Sequence, residues 1–71
     1  MNPQGYRVVI RPLSEAEGGG FVAIVPELPG CMSDGESPED ALRNAYDAIA
    51  CWIEAAEEMG RAVPQPARAA A

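Results

Sequence analysis

Apolar residues recur at every second position early in the chain and at intervals of three and four in its second half, which predicts strands followed by one helix. Tyr6, Val8 and Ile10 alternate with Arg7, Val9 and Arg11, the period of a half-buried strand. That strand should end at Pro12, which cannot donate to a ladder. Residues 13–20 are mostly polar and close on Gly18-Gly19-Gly20, a connection long for a hairpin but compatible with an antiparallel return. Phe21-Val22-Ala23-Ile24-Val25 is the densest apolar run, rich in β-branched residues, and suits a central strand buried on both faces. Pro29-Gly30 supplies a preset φ followed by a tolerated positive φ, so a tight turn should lead into a short third strand, Cys31 to Asp34, ended by Gly35.

The helix carries its own boundary signals. Ser37 can cap, Pro38 sits at the first helical position without losing a bond, and Glu39 and Asp40 meet the positive end of the dipole. The pattern runs to about Met59 and stops at Gly60. At 100° per residue, Leu42, Ala45, Ile49, Trp52, Ile53 and Ala56 form a stripe flanked by Tyr46 and Met59, which should cover the sheet. Trp52 reads as a core anchor whose indole N–H needs a partner at the core's edge. The opposite side carries Asp40, Arg43, Asp47, Glu54 and Glu58, with Glu39 and Asp47 each four residues from Arg43. Between them runs a seam of Ala41, Asn44, Ala48, Cys51 and Ala55, which is either a packing surface in an oligomer or helix-forming filler. Beyond Gly60, Ala62-Val63 offers a brief edge strand, and the remaining Pro- and Ala-rich residues read as a tail. The division is thus a domain at 1–60 and a tail at 61–71.

Seventy-one residues bound the answer to one small domain, which buries only about 60% of its unfolded surface and needs support from oligomerisation or a tight partner. The net charge is −6, but residues 1–60 hold three arginines against all eleven acids, a net −8. Such a body repels phosphate backbones and attracts basic proteins, so direct nucleic-acid binding is disfavoured. Two cysteines, with no apolar leader segment after the polar N-terminus, suggest a cytoplasmic protein with reduced thiols. No apolar run approaches the length of a membrane span.

Candidate chemistry changes little. The triglycine is followed by no Lys-Ser/Thr pair and no helix, so it lacks what makes such a loop cradle phosphate. Cys31 reads as a small buried hydrophobe, because no His exists to activate it and no basic residue lies nearby. The predicted strands at 6–10 and 21–25 contain no Asp or Glu, and Asp34 has no evident acidic companion, which argues against a metal-dependent nuclease. No cofactor site is indicated.

Val25-Pro26-Glu27-Leu28-Pro29-Gly30-Cys31 and Ser37-Pro38-Glu39-Asp40-Ala41-Leu42, following a Tyr-x-Val-x-Ile strand, resemble the N-terminal domain of HicB-type antitoxins from residue 6 to about 66. The resemblance implies an α+β, partial ribonuclease-H-like β-β-β-α fold: a three-stranded antiparallel sheet covered by one long helix, sometimes with a short final strand. It also implies a partner, a HicA-type toxin that cleaves messenger RNA and is inhibited by occlusion. Many such antitoxins add a C-terminal DNA-binding domain, whereas eleven residues follow Gly60 here, so operator binding by this chain is not expected. Glu27 and Asp34 near strand ends, Leu28 beside the turn, and Asp40, Asp47 and Glu54 on the helix are the candidate toxin contacts, each of the acids alone being an ordinary solvated charge. The competing reading is a homo-oligomer, a dimer or higher, acting as a structural or ligand-sensing domain without a toxin.

Overall fold

The computed structural model describes residues 5–65. Three short strands, β1 (Val9–Pro12), β2 (Phe21–Ile24) and β3 (Met32–Gly35), form one antiparallel sheet in the order β1-β2-β3, and the helix α1 (Pro38–Glu58) follows. This is the expected α+β arrangement with β2 at its centre. The register is set by Val9 opposite Ile24 and Arg11 opposite Val22 on one side, and by Ile24 opposite Met32 and Val22 opposite Asp34 on the other.

β1 begins later than its pattern suggests, at Val9, yet Tyr6 and Val8 still turn toward the core from the lead-in. Pro12 lies inside β1 opposite Phe21. It is tolerated because β1 is an edge strand with only one neighbour to bond. The connection that follows is more structured than a polar loop. Ser14 starts a short 3₁₀ turn (Glu15–Glu17): its hydroxyl accepts from the Glu17 N–H at 3.3 Å, and the Glu17 carboxylate accepts from the Ser14 N–H at 3.1 Å. That reciprocal capping lowers the Glu17 carboxyl below its ordinary range, first through the backbone N–H.

Between β2 and β3 the chain makes two successive turns, each with proline at its second position. Leu28 N–H bonds to Val25 O at 3.1 Å, and Cys31 N–H bonds to Leu28 O at 2.9 Å. Gly30 takes φ +79°, as the second turn requires after Pro29. The Trp52 indole N–H donates to Pro29 O at 2.9 Å, which satisfies it at the edge of the core and ties α1 to this corner.

α1 forms where its signals place it. Ser37 Oγ accepts from Asp40 N–H at 3.1 Å. At the far end Gly60 N–H bonds to Glu57 O and Arg61 N–H to Ala56 O, a Schellman closure with Gly60 at φ +71°. The helix packs most extensively on β3 and least on β1. Its buried residues are Ala41, Ala45, Ile49, Ile53 and Ala56, while Leu42 and Trp52 are half-buried and Met59 is 63% exposed beyond the sheet.

The covered side of the sheet contains two clusters. Tyr6, Val25, Leu28, Cys31, Ile49 and Ile53 make the larger one, and Ala23, Ala41 and Ala45 make a close contact near the start of α1. Gly35 explains that closeness, because a Cβ there would lie 2.5 Å from the Ala41 nitrogen and 2.8 Å from the Asp40 carbonyl carbon. No strand forms at Ala62-Val63; instead Val63 packs on the larger cluster and the Tyr6 hydroxyl donates to Pro64 O. Pro66 and the closing Ala69-Ala70-Ala71 lie outside the described residues.

The expectation that β2 is buried on both faces is corrected. Paired residues on adjacent strands share a face, so Val9, Arg11, Val22, Ile24, Met32 and Asp34 all point away from α1. Among the described residues, no element lies over them: Val9 is 46% and Met32 57% exposed.

Candidate functional site

The six candidate contacts do not form one patch. Leu28 is fully buried, so its side chain is a core residue and cannot itself meet a partner. Glu27 is half-buried and turned inward, with Oε2 accepting from the Arg7 N–H at 3.5 Å; it ties the β2–β3 corner to the lead-in of β1. Beside it, burial raises the Tyr6 phenol above its ordinary value of 10.0, and the Glu27 charge adds to the rise. Asp34 belongs to the open face of the sheet, while Asp40, Asp47 and Glu54 follow one another at seven-residue spacing along the outer face of α1. The two groups therefore look in different directions, meeting only where Asp34 and Asp40 line one cleft at the start of α1.

The outer face of α1 is the acidic surface. At 1.5 Å per residue, successive members of the Asp40, Asp47, Glu54 row are about 10.5 Å apart, and Glu58 extends the row. Arg43 pairs with Asp40 at 3.5 Å, three residues away, rather than with either residue four positions distant. Both side chains are substantially exposed, so this pair is screened and contributes little to stability.

The small-residue seam also divides. Ala41 is fully buried against Ala23 and Ala45, and the Asn44 amide donates to Asp34 O at 2.8 Å, occupying a carbonyl on β3. Ala48 is half-buried against the core, whereas Cys51 and Ala55 are exposed. Ala41 is thus withdrawn from any outward surface because α1 approaches β3 so closely.

A cleft of about 470 Å³ opens where the triglycine, the end of β3 and the first turns of α1 meet. Asp34, Glu36 and Asp40 line it with Arg43 and Asn44, an excess of carboxylates that repels phosphate. Among the described residues, no three His, Cys, Asp or Glu side chains are placed to hold a metal ion. Cys31 is buried and its thiol raised above its ordinary value by that burial, which suppresses the reactive thiolate. No described helix is long and apolar enough to cross a membrane.

Sequence reasoning missed the open sheet face, although its signal is present: Val9, Ile24 and Met32 alternate with polar or covered residues in the same period as the buried set.

A three-stranded antiparallel sheet with a single long helix across one face defines a small α+β module with two broad surfaces, one acidic and one largely apolar. The comparisons define it further. Residues 6–71 match the family described as the HicB-like antitoxin of bacterial toxin-antitoxin systems, and the chain belongs to that family. It is 37% identical over 59 residues to UPF0150 protein ssl0259 of Synechocystis, covering 83% of this chain and 77% of that one. It is 35% identical to UPF0150 protein Ta0767 of Thermoplasma acidophilum, covering 84% and 83%. Antitoxin HicB 1 of Photorhabdus laumondii is 31% identical over 86% of this chain, which spans 37% of the length of that antitoxin. No solved structure matches.

Proposed function

We propose that this chain binds a HicA-type RNA-cleaving toxin through the outer face of α1 and inhibits it by occlusion, acting in the cytoplasm with no chemistry of its own. The row Asp40, Asp47 and Glu54 carries the reading. An enzyme that cuts RNA must present cations to its substrate, and a ligand with a row of carboxylates on a body of net −8 competes for that surface. Long-range attraction also accelerates encounter at low salt. Asp34 and Glu27 stand apart from this row, so they are secondary candidates at most.

The test looks for a short basic product of a neighbouring reading frame that co-purifies with this chain, and then measures its association with the separated chain. Asp47→Lys combined with Glu54→Lys should slow association by about tenfold or more at low ionic strength, with the difference shrinking as salt is added. Both positions are exposed, so folding is retained. An association rate unchanged by the double reversal sinks the helix-face reading. The second reading, a homo-oligomeric structural or ligand-sensing domain without a toxin, is favoured by the uncovered sheet face. Failure of any neighbouring product to co-purify would select it.

A further inference from the structure

The open face of the sheet consists of two rows running across the three strands. One row is wholly apolar: Val9, Ile24 and Met32. The other has Arg11 on β1, Val22 on β2 and Asp34 on β3, with opposite charges at its two ends. Adjacent strands are about 4.8 Å apart, so Arg11 and Asp34 stand two strands, about 9.6 Å, from each other within one chain. Glu17, also exposed, lies within the field of Arg11.

We propose that this face is the interface of a symmetric dimer, in which a second copy of the chain stacks its sheet on the first about a two-fold axis parallel to β2. The operator follows from the order of residues in the rows. A two-fold axis along β2 lays β1 of one copy over β3 of the other without reversing the strand direction. Arg11 then meets Asp34 of the second copy, Val9 meets Met32 of the second copy, and Val22 and Ile24 meet their own counterparts on the axis. Each contact occurs twice, as an isologous interface requires. An axis running across the strands would instead lay the charged row over the apolar row, leaving Arg11 and Asp34 facing Val9 and Met32. Charge complementarity therefore selects one register of self-stacking, at the usual sheet separation of about 10 Å.

Composition agrees. Three four-residue strands about 4.8 Å apart make a compact face, which suits an interface smaller than the standard of roughly 800 Å² per partner. The centre of the patch is apolar and the ion pairs sit at its two ends, so they choose the register while the apolar residues supply most of the affinity. This inference does not rest on the toxin reading, since α1 and its acidic row lie on the other side of the sheet.

The mass of the full chain in solution tests it, by light scattering or sedimentation at low salt. Wild type should weigh twice its 7.5 kDa. Arg11→Glu sets a second carboxylate against Asp34 of the other copy, and Asp34→Arg sets two guanidinium groups together; each should weaken the dimer by roughly a hundredfold, since like charges brought together cost several kcal/mol. Combining Arg11→Glu with Asp34→Arg restores opposite charges at both ends and should recover the dimer. Met32→Glu should abolish it while leaving the circular dichroism of the fold intact. A monomeric wild type overturns the proposal. So does a dimer that ignores these reversals, which would place the contact on the β1 edge or on the helix. Single reversals that dissociate the dimer without rescue in the double variant overturn the register.

Discussion

The two faces of the same sheet are built from neighbouring residues of the same strands, yet only one is sealed. On the covered side Ala23 is small, α1 answers with Ala41 and Ala45, and Gly35 removes the last obstacle, so the backbones approach closely. On the open side Val9, Ile24 and Met32 are larger, and Arg11 and Asp34 bracket them. β2 is thus apolar on both faces, but one face completes the fold while the other stays uncovered within the described residues and is the face of the proposed dimer.

Truncating one apolar side chain on each face should affect the two faces most unequally. Ile49 is fully buried at the centre of the larger cluster, and Ile49→Ala should cost about 2–5 kcal/mol. For a domain whose whole stability is about 0.05–0.15 kcal/mol per residue, that loss leaves much of the population unfolded in urea titrations. Met32→Ser, measured in the Arg11→Glu background so that monomers are compared, should change stability by no more than about 0.5 kcal/mol. Equal losses would show that the open face is part of the monomer's core. A smaller effect comes from the point that sets the helix-to-sheet distance. Gly35→Ala places a methyl group against backbone atoms of Asp40 and Ala41, and should cost about 1–3 kcal/mol with faster hydrogen exchange in the first turns of α1. If exchange there is unchanged, the close approach does not limit the fold.

Much of the covered side can be read from the residues. Ser37, Pro38 and Gly60 fix both ends of α1 by local chemistry, and Pro29-Gly30 fixes its turn in the same way. What cannot be read depends on distance between elements. Periodicity centres the helical stripe on its larger residues, Leu42, Ile49 and Trp52, whereas close contact with β3 shifts burial onto Ala41 and leaves Leu42 and Trp52 partly exposed. Gly35 gives no local sign of its role, because its constraint is another segment's backbone. The Ser14-x-x-Glu17 cap is legible in principle but sits inside a polar stretch that reads as a loop. As for the candidate site, charge marks the residues, but a linear sequence does not say which carboxylates share a face, so Asp34 and the α1 row fall together. Leu28 is misplaced by the sequence because an apolar residue between two prolines looks exposed until the paired turns fold it inward.

The covered face also has a pH dependence with no counterpart on the open face among the shifted groups. Tyr6 is buried on the covered side with its phenol raised above 10.0, chiefly by desolvation. The folded state thus holds the proton more tightly than the unfolded chain does. By linkage, the corresponding stability is fully present below pH 10 and is lost as pH rises through the folded value. Cys31, also raised by burial, acts in the same direction from its ordinary value of 9.0 upward. Unfolding followed from neutral to strongly alkaline pH should therefore show a decline that begins near pH 9 and steepens above 10. Tyr6→Phe removes the titrating phenol together with its hydrogen bond to Pro64 O, so it should be about 1 kcal/mol less stable at neutral pH yet decline less steeply on the alkaline side. An alkaline limb identical in the two proteins would mean that Tyr6 ionises without disturbing the covered face, and the sealing of that face at Tyr6 would have to be abandoned.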